Sequence, residues 1–331
     1  MLARLRRLPL FDASLVALGA LVVFGAIGRV AAPAHVVRTF SPALIVPAEV
    51  SYKADLVEGL PRPPQLIFFG GSRSERFDPL LAQRLTGLSG FNFAVSNGRP
   101  EGAWAIASWL YSRSPETRLS WVWGIQGSTF YNRPFDPGIL QDPRFNRYFP
   151  DDVLAEQQLA LPRTPAEMPT GSVFRSRRWT TRGLQTWNSY DSYVEQGRSL
   201  EASLAAYTGE ALRKLAAEAP HGSAQALGRY YFEKTIGLLN EHGTTPVIVV
   251  MPTQPDVLAV LAAAGALERR DQLLAYLRGL SPRYRLRVVD LTEVSSFGGD
   301  PTQFYDGVHM MRGNADRALR AIVRRAGDAL Q

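Results

Sequence analysis

Leu66-Ile67-Phe68-Phe69-Gly70-Gly71-Ser72-Arg73-Ser74 is the stretch from which the architecture can be read. Its apolar run reads as a strand over residues 65–69, and the two glycines that follow turn the chain towards Ser72. Working outward, residues 79–85 read as a helix with Asp78 as its N-cap. Residues 91–95 read as a second strand running into Ser96-Asn97-Gly98-Arg99-Pro100, and 101–111 as the next helix. A third strand, 119–124, runs into Gly124-Ile125-Gln126-Gly127-Ser128.

The same alternation returns further on. Residues 199–217 and 224–242 carry helical patterns, and 246–251 is a β-branched run without alternation, as in the middle of a parallel sheet. Helices are expected at 257–264 and 267–280, then a last strand at 284–291. In that strand Arg285 and Arg287 alternate with Leu286 and Val288, the pattern of an edge strand with one wetter face. Residues 312–330 close the chain as an amphipathic helix. Strands alternating with helices imply an α/β fold, a three-layer α/β/α sandwich around a mostly parallel five-stranded sheet. Ligands in such sheets sit beyond the carboxyl ends of the strands, and Ser72, Gly98, Gln126 and Thr253 all follow strands there.

Two regions break the pattern. Residues 33–64 are proline-containing and read as a linker with little regular structure. Residues 129–197 show no sustained period, so an irregular insertion is expected within the 65–331 domain. It contains Arg175-Ser176-Arg177-Arg178-Trp179, a basic and aromatic cluster suited to an anionic or sugar ligand. Arg175 and Trp179 are therefore candidate substrate contacts, along with Arg73 and Asn97 beside the two turns.

Arg4, Arg6 and Arg7 precede the uninterrupted apolar stretch 15–27. The weakly polar segment 8–28 has the roughly 20 residues needed to span a bilayer. Basic residues ahead of it keep that end cytoplasmic and place the rest of the chain outside. The reading is a basic tip and transmembrane helix over residues 1–32, with a periplasmic or cell-surface domain beyond. A cleaved export signal ending near Ala32-Pro33-Ala34 is the alternative.

The chain has 331 residues, a formal net charge of +7, four histidines and no cysteine. Without cysteine there are no disulfides, thiolate metal sites or cysteine nucleophile. The positive charge fits an anionic membrane surface or an acidic glycan. No nucleic-acid-binding signature accompanies it, so no nucleic-acid partner is expected. The glycine-rich stretches match neither a P-loop nor a dinucleotide fingerprint. Asp306 and His309 would supply only two metal ligands, and no histidine-rich segment offers the others, so neither metal nor cofactor is expected.

Near the C-terminus stands Phe304-Tyr305-Asp306-Gly307-Val308-His309-Met310. A carboxylate three residues ahead of a histidine can meet Nδ1 and leave Nε2 free to take a proton from a hydroxyl. Ser72, on its turn after the first strand, is the hydroxyl to match, and Ser74 is its competitor in the same turn.

These motifs resemble the SGNH, or GDSL-type, hydrolase superfamily over residues 65–330, the long insertion aside. The resemblance implies Ser72 as nucleophile, His309 as general base and acid, and Asp306 as the orienting carboxylate. It implies an oxyanion hole from the Ser72 backbone, Gly98 (with Asn97 the other residue able to fill that position) and Gln126. Gly124-Ile125-Gln126-Gly127 stands where the family usually has Gly-x-Asn-Asp, so Gln126 is a departure from the pattern. An anchored SGNH-like domain outside the cytoplasm resembles bacterial envelope O-acetylation and D-alanyl transfer proteins. It implies an esterase or O-acyltransferase acting on a cell-envelope polysaccharide, with a membrane-bound O-acyltransferase as a possible partner. A membrane-tethered small-ester esterase and a non-catalytic glycan-binding protein are the alternatives.

Overall fold

The computed structural model describes residues 45–131, 135–159, 178–187, 191, 197–217 and 226–330. The order is α1 (Ile45–Glu58), β1 (Leu66–Gly70), α2 (Pro79–Thr86), β2 (Gly90–Asn92), α3 (Pro100–Arg113) and β3 (Ser120–Ile125). Then come α4 (Pro137–Gln141), α5 (Pro143–Asn146), α6 (Asp151–Leu159), β4 (Arg178–Trp179), β5 (Gln185–Trp187), α7 (Leu200–Ala217) and α8 (Ala226–Glu241). The last part holds β6 (Val247–Val250), α9 (Pro255–Ala262), α10 (Ala266–Leu280), β7 (Arg287–Asp290) and α11 (Arg312–Ala326).

Five strands form one sheet in the order β2-β1-β3-β6-β7, and every pairing is parallel. Both faces are covered. Ile67, Phe69, Trp121, Trp123, Ile248 and Val250 pack with residues of α1, α3, α8 and α10. Their neighbours in the strands, Leu66, Phe68, Val122, Val247, Val249 and Val289, pack with α2 and α11. Period-two alternation thus divides apolar strands between two cores, which is why β1, β3 and β6 read as unbroken hydrophobic runs. The chain winds away from β1 in opposite directions, to β2 on one side and β3 on the other. That reversal opens a crevice beyond the carboxyl ends of β1 and β3.

The β7 edge behaves as its sequence implies. β7 lies at one end of the sheet, with Arg287 exposed and Val289 buried. At the other end the β4–β5 ribbon docks on β2, where the Asn92 N–H donates to Arg182 O (2.9 Å). A further strand would otherwise find an open row of backbone groups there. Asp78 caps α2 by accepting from Leu80 N at 2.8 Å.

Two expectations are corrected. The region 33–64 is not without regular structure, because α1 occupies Ile45–Glu58 and buries Val50, Ala54 and Val57. Those positions recur at helical spacing, so one face can join the core. Nor is 129–197 simply irregular, since α4, α5, α6 and the ribbon lie within it. Each of α4 and α5 begins with Asp-Pro: Asp136 accepts from Gly138 N (2.7 Å) and Asp142 from Arg144 N (3.0 Å). Proline at the first helical position and an acid at the cap set these short helices locally. Among the described residues no helix is long and apolar enough to cross a membrane. The anchor read at residues 8–28 lies outside the described residues, as does Arg175.

Candidate active site

Gly70 ends β1 with φ +139, a conformation open to glycine, and Ser72 begins a single 3-10 turn, Ser72–Ser74. The first N–H groups of such a turn have no acceptor within it, so the Ser72 amide is positioned as a donor. Its hydroxyl is directed at the far end of the chain. Ser72 Oγ lies 2.8 Å from His309 Nε2, and His309 Nδ1 lies 2.7 Å from Asp306 Oδ2.

The segment carrying the acid and imidazole closes on itself. Phe304 and Met310 form an antiparallel bridge, and Tyr305 N donates to His309 O at 2.9 Å. Asp306 Oδ1 accepts from the N–H groups of Val308 and His309, each at 2.8 Å. Burial works against ionising Asp306, yet the charge of His309, its ring bond and those two amides together hold the carboxyl below its ordinary range. With Asp306 ionised, Nδ1 carries a proton and Nε2 is free to accept from Ser72.

Ser74, the competing hydroxyl, is fully buried, with Oγ directed at Met251 Sδ (3.9 Å). Space for it comes from glycine: a Cβ on Gly124 would stand 2.1 Å from Ser74 Oγ and 2.9 Å from Met251 Sδ. The geometry separates the two serines by access.

Ser72, Gly98, Gln126 and Thr253 line one cleft of about 310 Å³ at the carboxyl edge of the sheet. The roles expected of the middle two need revision. Gly98 lies against β1, where a Cβ would come within 2.1 Å of Gly70 O, so glycine is required by close approach. Its N–H, however, already donates to Val95 O at 2.9 Å and is not directed at an oxyanion. Asn97, the other residue considered there, lines the cleft with φ 56, a left-handed conformation that asparagine tolerates. Gln126 donates its backbone N–H to Thr129 Oγ1 and a side-chain N–H to Ser128 Oγ, both at 2.9 Å. The extra methylene lets its amide turn onto its own loop, leaving one amide hydrogen uncommitted.

Arg73 lines the cleft and donates to Pro252 O (3.5 Å) and Tyr207 Oη (3.4 Å). Trp179 lies elsewhere: its ring packs on Tyr52 at 5.6 Å, with Lys53 Nζ 5.9 Å above it, so it belongs to the packing around α1 rather than to the cleft. Of the ordinary histidines, His242 stacks on Tyr111 at 3.7 Å, whereas His35 and His221 lie outside the described residues.

Sequence patterns did not single out Tyr207, Asp191, Arg99 or Arg269. Tyr207, from α7, lines the cleft and covers Gly307. Asp191 accepts from Tyr305 Oη and from Arg76, each at 2.5 Å, bracing the segment that carries Asp306. Arg99 and Arg269 line the cleft with Arg73 and Arg270, the last of which sits on Asp271 at 2.8 Å. These neighbours come from distant parts of the chain, so only Arg99, in the turn after β2, had a local signal. Among the described residues no group of three acidic or histidine side chains is placed to hold a metal ion. The chain matches no protein-family model and no curated protein.

Proposed function

We propose that this chain is a serine acyl-ester hydrolase or O-acyltransferase of the SGNH type, acting outside the cytoplasm on a cell-envelope polysaccharide. The observation that carries the reading is the continuous chain from Ser72 Oγ through His309 to Asp306, at 2.8 and 2.7 Å. In the reaction, Ser72 Oγ attacks the ester carbonyl as its proton passes to His309 Nε2, and the carbonyl electron pair becomes an oxyanion facing the Ser72 amide. Collapse expels the alcohol, which takes the proton back from His309 and leaves an acyl group on Ser72. Water or a sugar hydroxyl, deprotonated by the same imidazole, then releases the acyl group. Asp306 stays ionised throughout and stabilises the imidazolium. A membrane-bound O-acyltransferase is the partner this reading calls for if acyl groups are delivered rather than hydrolysed.

The lining mixes Val250, Met251, Leu258, Leu261 and Leu273 with Ser72, Gln126, Ser128, Thr253 and arginines, and this polar share supports a sugar ester over a lipid ester. The test is to treat the full chain with a fluorophosphonate and locate the adduct by mass spectrometry. Labelling at Ser72 that disappears in His309→Ala supports the proposal. A folded protein that stays unlabelled favours the non-catalytic binding reading.

A further inference from the structure

We infer that Glu75 is a positioning residue: by holding the Ser96 hydroxyl, its buried carboxyl group fixes the Ser72 turn against the Asn97–Gly98 turn, the two turns between which the ester is seated. The inference rests on the acyl-transfer reading and adds to it a residue outside the Ser72–His309–Asp306 chain.

Glu75 is the first residue after the 3-10 turn that begins at Ser72, and its N–H donates back to Ser72 O at 3.4 Å. The side chain turns inward. Glu75 is 1% exposed, and its Oε1 accepts from Ser96 Oγ at 3.3 Å. Ser96 stands directly before Asn97, which lines the cleft together with Ser72. Backbone contacts bring the same two turns together: Val95 N donates to Gly70 O at 3.1 Å, and a Cβ on Gly71 would stand 3.9 Å from Gly98 N. The Glu75–Ser96 bond ties the end of one turn to the start of the other.

The other side of that strip is gripped by α1. Glu49 accepts from Ser96 N at 3.2 Å, and Lys53, one helical turn further on, donates to Ala94 O. Glu49, Lys53 and Glu75 are all buried, and all reach the strip 94–96. Buried ionisable groups add little stability over apolar side chains of the same shape, so stability alone does not account for them. What they supply is direction, because a hydrogen bond has a preferred length and angle. A displacement of 1 Å at a reacting centre costs about 10²-fold in rate, so a strip fixed from both sides matters where it runs into the cleft, at Asn97. The neighbouring residue faces the other flank: Arg76 binds Asp191 at 2.5 Å, and Asp191 accepts from Tyr305, next to Asp306. Glu75 and Arg76 thus tie the serine turn to the cleft wall on one side and to the acid–imidazole segment on the other.

The test uses the full chain and measures three things: kcat and KM on p-nitrophenyl acetate, the rate of fluorophosphonate labelling at Ser72, and the urea midpoint. Ser96→Ala removes only the hydroxyl and keeps the backbone bond to Glu49. It should lower kcat and the labelling rate by about tenfold and change KM by less than about twofold. Glu75→Ala should show the same split, and the double variant should lose no more than Glu75→Ala alone, because both changes remove one bond. Ser51→Ala is the comparison: it removes a bond from the same helix to Asp142 (2.6 Å), and it should lower the urea midpoint without lowering kcat. If Glu75→Ala does not fold, Ser96→Ala decides. Turnover and labelling that stay at wild-type rates in Ser96→Ala, or fall only as far as in Ser51→Ala, overturn the inference and leave the acyl-transfer reading standing. A folded wild-type chain that takes no label overturns that reading and, with it, this role for Glu75.

Discussion

Gly307 and Tyr207 touch so closely that a Cβ on the glycine would lie 2.3 Å from Cδ1 of the ring. The glycine sits between Asp306 and His309, and its carbonyl accepts from Gln254 N at 2.8 Å. The segment bearing acid and imidazole is thus pressed between α7 and the loop after β6. The same tyrosine accepts from Arg73, so one side chain bears on both the Asp306–His309 segment and the residue after Ser72.

Gly307→Ala should displace Tyr207 or the segment beneath it. Overpacking of this kind costs about 1–3 kcal/mol, and turnover should fall along with stability. Urea unfolding and ester hydrolysis on the same preparation check both. Normal activity in the variant would show that Tyr207 has room to move.

Asp306→Asn should preserve the fold and remove most of the activity, about 10⁴-fold by analogy with other acid–imidazole–serine sites. An amide oriented by the Val308 and His309 N–H groups would present its NH₂ to Nδ1 and favour the wrong tautomer. Ester turnover beside a circular dichroism spectrum decides the matter, and a loss of only a few-fold would contradict the assigned role.

Ser74→Ala separates the two serines. Its hydroxyl is buried on Met251, so removal should leave turnover near wild type and change stability by no more than about 1 kcal/mol. Abolished labelling in Ser74→Ala, with labelling kept in Ser72→Ala, would reverse the assignment.

Glu101 gives a pH signature of stability. Burial raises its carboxyl from 4.5 to about 7, so the unfolded chain ionises first as pH rises. Stability should therefore fall across that window, by on the order of 3 kcal/mol, and level off above it. Asp136, pushed up to about 6 chiefly by burial, adds in the same direction. Asp306 acts oppositely: its lowered value stabilises the fold above the ordinary carboxylate range, and that support is lost in acid as pH falls through the folded value. Melting temperatures at pH 5 and pH 8 should differ less for Glu101→Gln than for wild type, and an unchanged difference would refute the assignment.

Asn97→Gly should hold or raise stability by about 1 kcal/mol, since it removes a left-handed strain that glycine does not feel. A fall in substrate affinity despite that gain would mark the side chain as a ligand contact. Isothermal titration and a thermal melt on the one variant distinguish the two.

Much of this molecule was legible locally. The apolar run at Leu66–Phe69 and the β-branched run at Val247–Val250 announce central parallel strands because both faces are buried. The Asp306–His309 spacing announces a closed segment. The Asp-Pro pairs at 136–137 and 142–143 also carried a local message, of two short helices, but surrounding prolines, aromatics and arginines masked it. What no local pattern could supply were the approaches between distant backbones. Gly98 matters because Gly70 O lies against it, which strand pairing alone does not disclose. Gln126 looked like a longer asparagine until its loop placed Ser128 within reach of the amide.

The hydroxyl and the imidazole that meet at 2.8 Å are separated by 237 positions in the chain. A polypeptide leaving the ribosome therefore carries the serine proposed as nucleophile long before it carries the imidazole proposed to activate it. If Ser72 and His309 act together as proposed, reactivity would arrive only when the final strand and helix settle, and an incomplete chain would lack it. The fold acts as its own safety catch.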